Sequence, residues 1–514
     1  MEKNCELVNM KIIARYLPQF HRVLENDAWW GEGFTEWTTV RQGKSLFTGH
    51  CQPKVPLGKK YYNLMDKEVM RWQTELARGY GVDGFSFYHY WFKDGRRILE
   101  KPAENLLQWR DVDMPFCFTW ANETWARTWS VMTEKNVWVT KDEVAIASDK
   151  DGVLLRQSYG TEADWLAHIR YLIPFFQDSR YIRCEDKPVF IIYRPRTIYC
   201  WPDMLDCWEK ELSKHGIEGL YVIGETQEDY YVDDKSITTR LWRFPDRALA
   251  HLTPIVKNGV KTYDYDDYWQ MVLQQDWRYK NSENGLYCVA ANFDSTPRHG
   301  KNGVVLTGDT PAKFENYFTR LLQKVRAIGS PFVFINAWNE WGEGAYLEPD
   351  ERNGYGYLQA IKSAKEAVKH VDSRELLQEK TGSVISLPCY DELARYRGNF
   401  YAVNSWLAIK EKGKSVGEWL RRQGISVVAI YGRGYLGQHL IKDLEDSGVE
   451  IKYIVEKSAG KKHPRYEVYG LSGNLPLVDV IIVTPAGRYD VIRRDIRKFV
   501  DYKTISLEYI LAEV

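Results

Sequence analysis

Two carboxylates three residues apart, Glu340 and Glu343, sit where an apolar run turns abruptly into a polar, glycine-rich loop, Phe334-Ile335-Asn336-Ala337-Trp338-Asn339-Glu340-Trp341-Gly342-Glu343-Gly344. Such a pair can divide acid–base work at an anomeric carbon, one member protonating the leaving oxygen while the other acts as base or nucleophile. A solvated loop or a structural ion pair can contain the same residues. Trp338 and Trp341 flank the pair here. Dehydration by indole raises a carboxyl pKa toward the value a general acid needs, which favours the catalytic reading.

A loop of this kind needs a rigid frame. Strand-length apolar runs recur at Lys11 to Phe20, Gly84 to Trp91, Met114 to Trp120, Pro188 to Tyr193, Leu220 to Glu225, Thr239 to Phe244, Leu286 to Phe293 and Pro331 to Ala337. Helical periods separate many of them, clearest at Lys67 to Arg78, Asp164 to Gln177, Met204 to Lys214, Tyr265 to Gln275 and Pro311 to Ile328, with Tyr357 to His370 closing the series. This alternation predicts a (β/α)8 barrel over residues 1–370, with a doubly wound open sheet as the competing architecture. In a barrel, catalytic side chains gather at the C-terminal ends of the strands. The polar groups expected at that mouth are Tyr16, His21, His89, Asn122, Glu123, Glu225, Asn292 and Asp294, with Asn339 beside the carboxylate pair. His89 is equally readable as a packing histidine. Glu225 is a third candidate carboxylate or the partner of an arginine such as Arg194. Asn122 and Glu123, between Trp120 and Trp125, suit sugar hydroxyls.

The stretch Trp338-Asn339-Glu340-Trp341-Gly342-Glu343-Gly344, followed by Leu347-Glu348-Pro349, resembles the active-site signature of the glycoside hydrolase family 99 endo-α-mannosidase type. It is more similar still to the WbsX-type family, a glycosyltransferase-like bacterial relative found in polysaccharide gene clusters. That group also has Tyr16-Leu17-Pro18-Gln19-Phe20-His21, Trp29-Trp30-Gly31-x-Gly33-Phe34-Thr35-Glu36-Trp37, Gly84-Phe85-x-Phe87-Tyr88-His89-Tyr90-Trp91 and Trp120-Ala121-Asn122-Glu123-x-Trp125. The resemblance spans roughly residues 10 to 370. It implies that Glu340 is a base on a sugar 2-hydroxyl, forming a 1,2-anhydro sugar, and that Glu343 is the acid and then the base. A substrate with its 2-hydroxyl trans to the leaving group, α-manno or α-rhamno, is required. A covalent glycosyl-enzyme is the alternative route. The shared motifs add Trp30, Glu36, Trp37, Tyr88, Trp91, Trp120, Trp125, Trp338 and Trp341 to the expected sugar-binding set. One departure stands out: Gly342 occupies a slot where the eukaryote-like hydrolases carry a histidine.

Residues 371–423 read as a helical linker, and a new α/β unit follows over 424–514. There Ile425 to Tyr431 is a strand, Gly432-x-Gly434-x-x-Gly437 follows it, Gln438 to Ser447 is a helix, and Ile451 to Val455 and Val478 to Thr484 complete a three-strand core. Glu456 lies about twenty residues beyond the glycines, the context of a Rossmann-like dinucleotide fingerprint. Gly432, Gly434, Gly437 and Glu456 are thus expected either to hold a nucleotide or nucleotide-sugar or to belong to a degenerate docking module.

With 70 Lys+Arg against 70 Asp+Glu and no basic block, a nucleic-acid partner is not expected. The 20 Trp and 34 Tyr suit stacking on sugar faces, though core filling also uses them. Eight cysteines without CxxC pairing read as reduced thiols, and no set of residues has metal-ligand spacing. No signal-peptide pattern or membrane-length apolar run is found, so the expectation is a cytoplasmic protein, at most peripheral to a membrane assembly complex. The expected role is retaining glycosyl transfer onto an oligosaccharide or polysaccharide in O-antigen or capsule assembly, with no cofactor required. A cytosolic endo-α-glycosidase and a non-catalytic glycan-binding scaffold are the competing readings.

Overall fold

The computed structural model describes residues 10–126, 153–226, 236–274, 285–369, 390–445, 447–457, 463–472, 474–486 and 489–514. These fall into two compact units, one holding residues 10–369 apart from Arg196–Tyr199, the other holding Arg196–Tyr199 and the residues from 390 onward.

In the first unit eight strands are built from runs of β-branched, aromatic and aliphatic residues: β1 Lys11–Tyr16, β2 Gly84–Trp91, β3 Phe116–Trp120, β4 Lys187–Ile192, β5 Tyr221–Thr226, β6 Thr239–Arg243, β7 Leu286–Val289 and β8 Phe332–Ile335. Each pairs in parallel with its sequence neighbour. β8 then pairs with β1, Lys11 against Phe332, and the sheet closes. The open-sheet alternative is thereby excluded. Helices Lys67–Gly79, Glu162–Phe176, Trp201–Ser213, Tyr265–Gln274, Pro311–Ala327 and Gly356–Lys369 follow the predicted periods closely. Thr310 caps the fifth of them by accepting from Lys313 N–H at 3.2 Å, and Pro311 takes the first turn, where its missing amide hydrogen is not needed.

Beyond β8 the chain forms a short hairpin, β9 Asn339–Glu340 and β10 Ala345–Tyr346, separated by one helical turn over Trp341–Glu343. The acidic pair therefore sits on a hairpin tip above the barrel, not on a barrel strand.

The second unit is a parallel five-stranded sheet: β11 Val427–Tyr431, β12 Glu450–Glu456, β13 Val468–Gly470, β14 Val480–Val483 and β15 Thr504–Ser506, in the spatial order β13-β12-β11-β14-β15. That is a doubly wound order. The edge strands, three residues each, are additional to the expected three-strand core. Ala402, Trp406, Ile409, Val416 and Leu420 share a core with Val428 and Ile430 of β11. The helices Tyr390–Glu411 and Val416–Arg422, within the stretch expected as a linker, thus contribute to this unit. Residues 371–389 of that stretch, with Cys5 and Cys389, lie outside the described residues.

Candidate active site

Alternation along a strand decides which expected residues reach the barrel interior. Arg15 on β1 crosses to an ion pair with Glu225 on β5. Tyr16, one residue on, turns outward and donates to Gln73 Oε1 at 2.7 Å. On β2 the Arg15 guanidinium lies 5.6 Å from the Tyr88 ring centroid, while His89 faces outward, Nε2 to Nε2 with His168 at 2.9 Å. Trp91 stacks on His168 at 4.5 Å, and Trp120 donates to the Trp91 carbonyl at 3.2 Å. Tyr16, His89, Trp91 and Trp120 therefore pack between barrel and helices instead of lining the mouth. Burial drives the His89 pKa down to about 3 and that of His21, also buried, to about 4. Both are held neutral by desolvation.

Glu225 is gripped by Arg15 and by Arg243, whose Nε lies 3.1 Å away, while Arg194 pairs with Glu123. Of the two expectations for Glu225, a third candidate carboxylate or the partner of an arginine such as Arg194, the structure shows arginine partners, and they are Arg15 and Arg243. Burial pushes the Glu225 carboxyl up to about 7 against the pull of Arg15.

The asparagines act as bolts. Asn339 accepts from Leu17 N–H at 2.8 Å and donates to Leu17 O at 3.1 Å, tying β9 to the end of β1. Asn292 likewise accepts from Tyr346 N–H at 2.9 Å and donates to Tyr346 O at 3.2 Å, fixing β10. Asn122 does the same for Arg194, at 2.8 and 2.9 Å. Asp294 accepts from His50, Gln52 and Thr296, and its own N–H donates to Glu343 O at 2.7 Å. Of these four, expected among the sugar-binding groups, Asn339 and Asn292 hold the hairpin that carries the acidic pair, Asp294 reaches it through its backbone N–H, and Asn122 fixes Arg194 beyond β4.

Trp338 and Trp341 are wholly buried and both donate to Glu348, at 3.0 and 2.7 Å. Tyr62 and Gln73 complete its partners at 2.8 and 2.7 Å. Burial raises the Glu348 carboxyl to about 7 despite four donors. Trp37 packs on Trp341 and donates to Tyr62 O at 2.8 Å. These indoles support the hairpin from beneath. Trp30 and Trp125 belong to a separate apolar cluster with Tyr90.

Arg298, on the short Thr296–His299 helix after β7, organises the carboxylates. Its Nη1 donates to Glu343 Oε1 at 2.7 Å and Nη2 to Glu340 Oε2 at 2.8 Å. Nε reaches Glu36 Oε1 at 3.0 Å, with Nη2 2.9 Å from the same oxygen. Glu340 is 5% exposed and Glu36 1%, whereas the Glu343 side chain is 29% exposed, so Glu343 is the member solvent or a substrate reaches most easily. Burial raises the Glu340 pKa above the usual carboxylate range, Arg298 opposing and the charges of Glu343 and Glu36 adding to the rise. Tyr88 and Tyr90 feel the Glu340 charge, which with burial keeps both phenols protonated. Arg298, Tyr90, Arg15 and Arg243 were not singled out from the sequence. Charge balance is the signal that points to Arg298, because three carboxylates at one mouth demand a cation.

A side chain at Gly342 would overlap Glu36 Oε1 and approach Arg298 Nε to 2.9 Å. The glycine departure thus has a structural counterpart, since the Glu36 carboxylate fills the space. Among the described residues no cluster of three or more His, Cys, Asp or Glu is disposed to hold a metal ion.

In the second unit the glycine loop joins β11 to the Tyr435–Leu444 helix, with Gly434 at its N-cap. A Cβ on Gly437 would overlap Gly432 O, so helix and loop pack backbone to backbone. Gly432 adopts φ +95°, and a Cβ on Gly434 would meet open space. Glu456 ends β12 but accepts from Arg433 N–H at 3.1 Å and Arg433 Nε at 2.9 Å. The carboxylate expected to help hold a nucleotide is engaged within the loop itself.

The fold and site define a closed (β/α)8 barrel with an arginine-bridged acidic cluster at its C-terminal mouth. The chain belongs to the WbsX glycosyltransferase family, whose profile matches residues 12–361. It is 32% identical over 373 residues to the WxcX protein of two strains of Xanthomonas campestris pv. campestris, an alignment covering 70% of this chain and 50% of that protein. The chain thus spans about half the length of the curated relatives it matches. Among solved structures, two of the GH99 endo-α-mannosidase of Bacteroides thetaiotaomicron align with TM-scores of 0.43 and 0.42 at 13% and 14% identity. They cover 72% and 71% of this chain and 99% and 98% of theirs. No helix among the described residues is long and apolar enough to cross a membrane.

Proposed function

We propose that the barrel catalyses retaining glycosyl transfer in surface-polysaccharide assembly, on α-manno- or α-rhamno-configured sugars, through Glu340 and Glu343. The observation that carries this reading is the bridging of both carboxylates by one guanidinium at the barrel mouth of a WbsX-family chain. Displacement of the leaving group by the sugar's O2, followed by displacement of O2 by the acceptor, inverts C1 twice, so the product retains the configuration of the donor. Glu340 takes the proton of the sugar 2-hydroxyl, O2 closes on C1, and the C1–O bond to the leaving group breaks as Glu343 supplies its proton. The acceptor hydroxyl then loses a proton to Glu343 and opens the 1,2-anhydro ring at C1, while Glu340 returns a proton to O2. Donor, acceptor and their linkage belong to this proposal, as do location in the cytoplasm and a nucleotide or nucleotide-sugar at the second unit.

The raised pKa of Glu340 also favours a second assignment, in which Glu340 holds the proton for the leaving oxygen and Glu343 is the base. The sign of the pH dependence separates them. With Glu340 as base, kcat/KM climbs with pH through a limb above the usual carboxylate range. With Glu340 as acid, kcat/KM falls through that same limb. The founding experiment incubates the protein, Glu340→Gln and Glu343→Gln with activated α-mannosyl and α-rhamnosyl donors and an acceptor oligosaccharide, following products by mass. Transfer lost in both variants is the expected result. Free reducing sugar as the sole product assigns hydrolysis instead, and glycan binding without turnover in wild type assigns a recognition role.

A further inference from the structure

Glu36 lies on no barrel strand and is remote in sequence from the acidic pair, yet its carboxylate is the third on Arg298. It opens the Glu36–Arg41 helix, and its own N–H is fixed to Gln19 O at 3.0 Å, so its position is set by the loop that follows β1. Arg298 presents Nε and Nη2 to Glu36 and has only Nη1 and the rest of Nη2 for Glu343 and Glu340. A guanidinium is planar, so holding Nε fixes the direction of both amino groups. The seat of Glu36 exists because residue 342 has no side chain.

We propose that Glu36 is a positioning residue of the acidic pair, aiming Arg298 and tuning the ionisation of Glu340, and that Gly342 is required as the space its carboxylate occupies. This rests on the glycosyl-transfer reading for its consequence in turnover but not for its geometry. One cation faces three carboxylates, and Glu36 supplies part of the negative charge that raises the pKa of Glu340. Removing that charge lowers the pKa of Glu340. Glu36→Gln keeps the shape and the contact with Nε through its amide oxygen, whereas Gly342→Ala expels the carboxylate bodily.

Two readouts test the proposal independently of each other. The first is a thermal-stability cycle of Gly342→Ala, Glu36→Ala and the double variant. Gly342→Ala is expected to lower Tm clearly when Glu36 is present and by much less when position 36 is alanine. Additive shifts overturn the claim that the two residues share one space. The second readout is the ionisation of Glu340, taken from the pH dependence of Tm in wild type minus that in Glu340→Gln. Because the folded pKa of Glu340 is raised, its contribution to stability is present at low pH and is lost as pH rises through that pKa. Glu36→Gln is expected to move this loss downward by about a unit, along with the Glu340 limb of any turnover profile. An unmoved transition overturns the tuning role. If no donor is turned over, the Tm readouts still decide the matter, so failure of the catalytic reading and failure of this one are distinguishable.

Discussion

Arg298 meets Glu36, Glu340 and Glu343 with the three nitrogens of its guanidinium, and its loss would strand charges that are largely out of water. Breaking a buried ion pair from one side costs about 3 kcal/mol or more. Arg298→Ala is accordingly expected to lower stability by about that amount, read from urea unfolding, and to abolish transfer. Arg298→Lys restores the charge without the fork and is expected to recover part of the stability while transfer stays lost. Glu348 invites a similar comparison. It accepts from two indoles, a phenol and an amide, so Glu348→Gln turns an NH2 group toward a donor and leaves both unsatisfied. The expected cost is about 2 kcal/mol in unfolding free energy, with a change in near-ultraviolet circular dichroism from Trp338 and Trp341.

The elements were far more legible than the orientation of their side chains. Each strand run from Lys11 to Ile335 announced itself by apolar β-formers bounded by turn residues, and the helices by their period, because burial of one face imposes those patterns. The run Gly84 to Trp91 contains no such clue to which alternate set turns inward, since Tyr88 and His89 suit either face. The inward set is fixed by partners distant in sequence, Arg15 and Glu225 on one side and His168 on the other. Arg298 was hidden for the same reason, in a four-residue helix without a strand pattern around it. The acidic pair was visible because both members and their supporting tryptophans lie within one short segment. The hairpin that carries the pair is held at its two ends by Asn339 and Asn292. Asn292→Ala is therefore expected to cost about 1–3 kcal/mol from an unsatisfied buried backbone pair. It should also depress transfer more than KM, because the tip that carries Glu340 and Glu343 loosens while the remainder of the barrel stays folded. Circular dichroism alongside steady-state kinetics checks both halves.

At the scale of the molecule, neutral buried histidines set an acid limit. His21 and His89 titrate in the folded state near 4 and 3, and His168 is also lowered, all through desolvation. At these sites the unfolded chain, with histidine near 6.5, binds more protons, so the histidines' contribution to stability rises with pH across this interval. It is fully present above about pH 6.5 and is lost as pH falls toward about 4. The raised carboxyls of Glu225, Glu348 and Glu340 act with the opposite sign over the same range, so the histidine contribution is read as a difference. As pH falls from 7 to 5, the urea midpoint of His89→Gln is expected to shift upward relative to that of wild type, and parallel midpoints would remove that contribution.

The three bolting asparagines have a consequence for diversification. Asn339, Asn292 and Asn122 each grasp both the N–H and the C=O of one partner residue, Leu17, Tyr346 or Arg194, and leave that residue's side chain out of the bond. Peptide groups are the same in every residue but proline's, which lacks the N–H. The loops around the mouth can therefore exchange their side chains, by drift or in a randomised library, without losing registry with the barrel. What such a scaffold holds constant is the placement of Glu340 and Glu343, while the side chains around them are free to change.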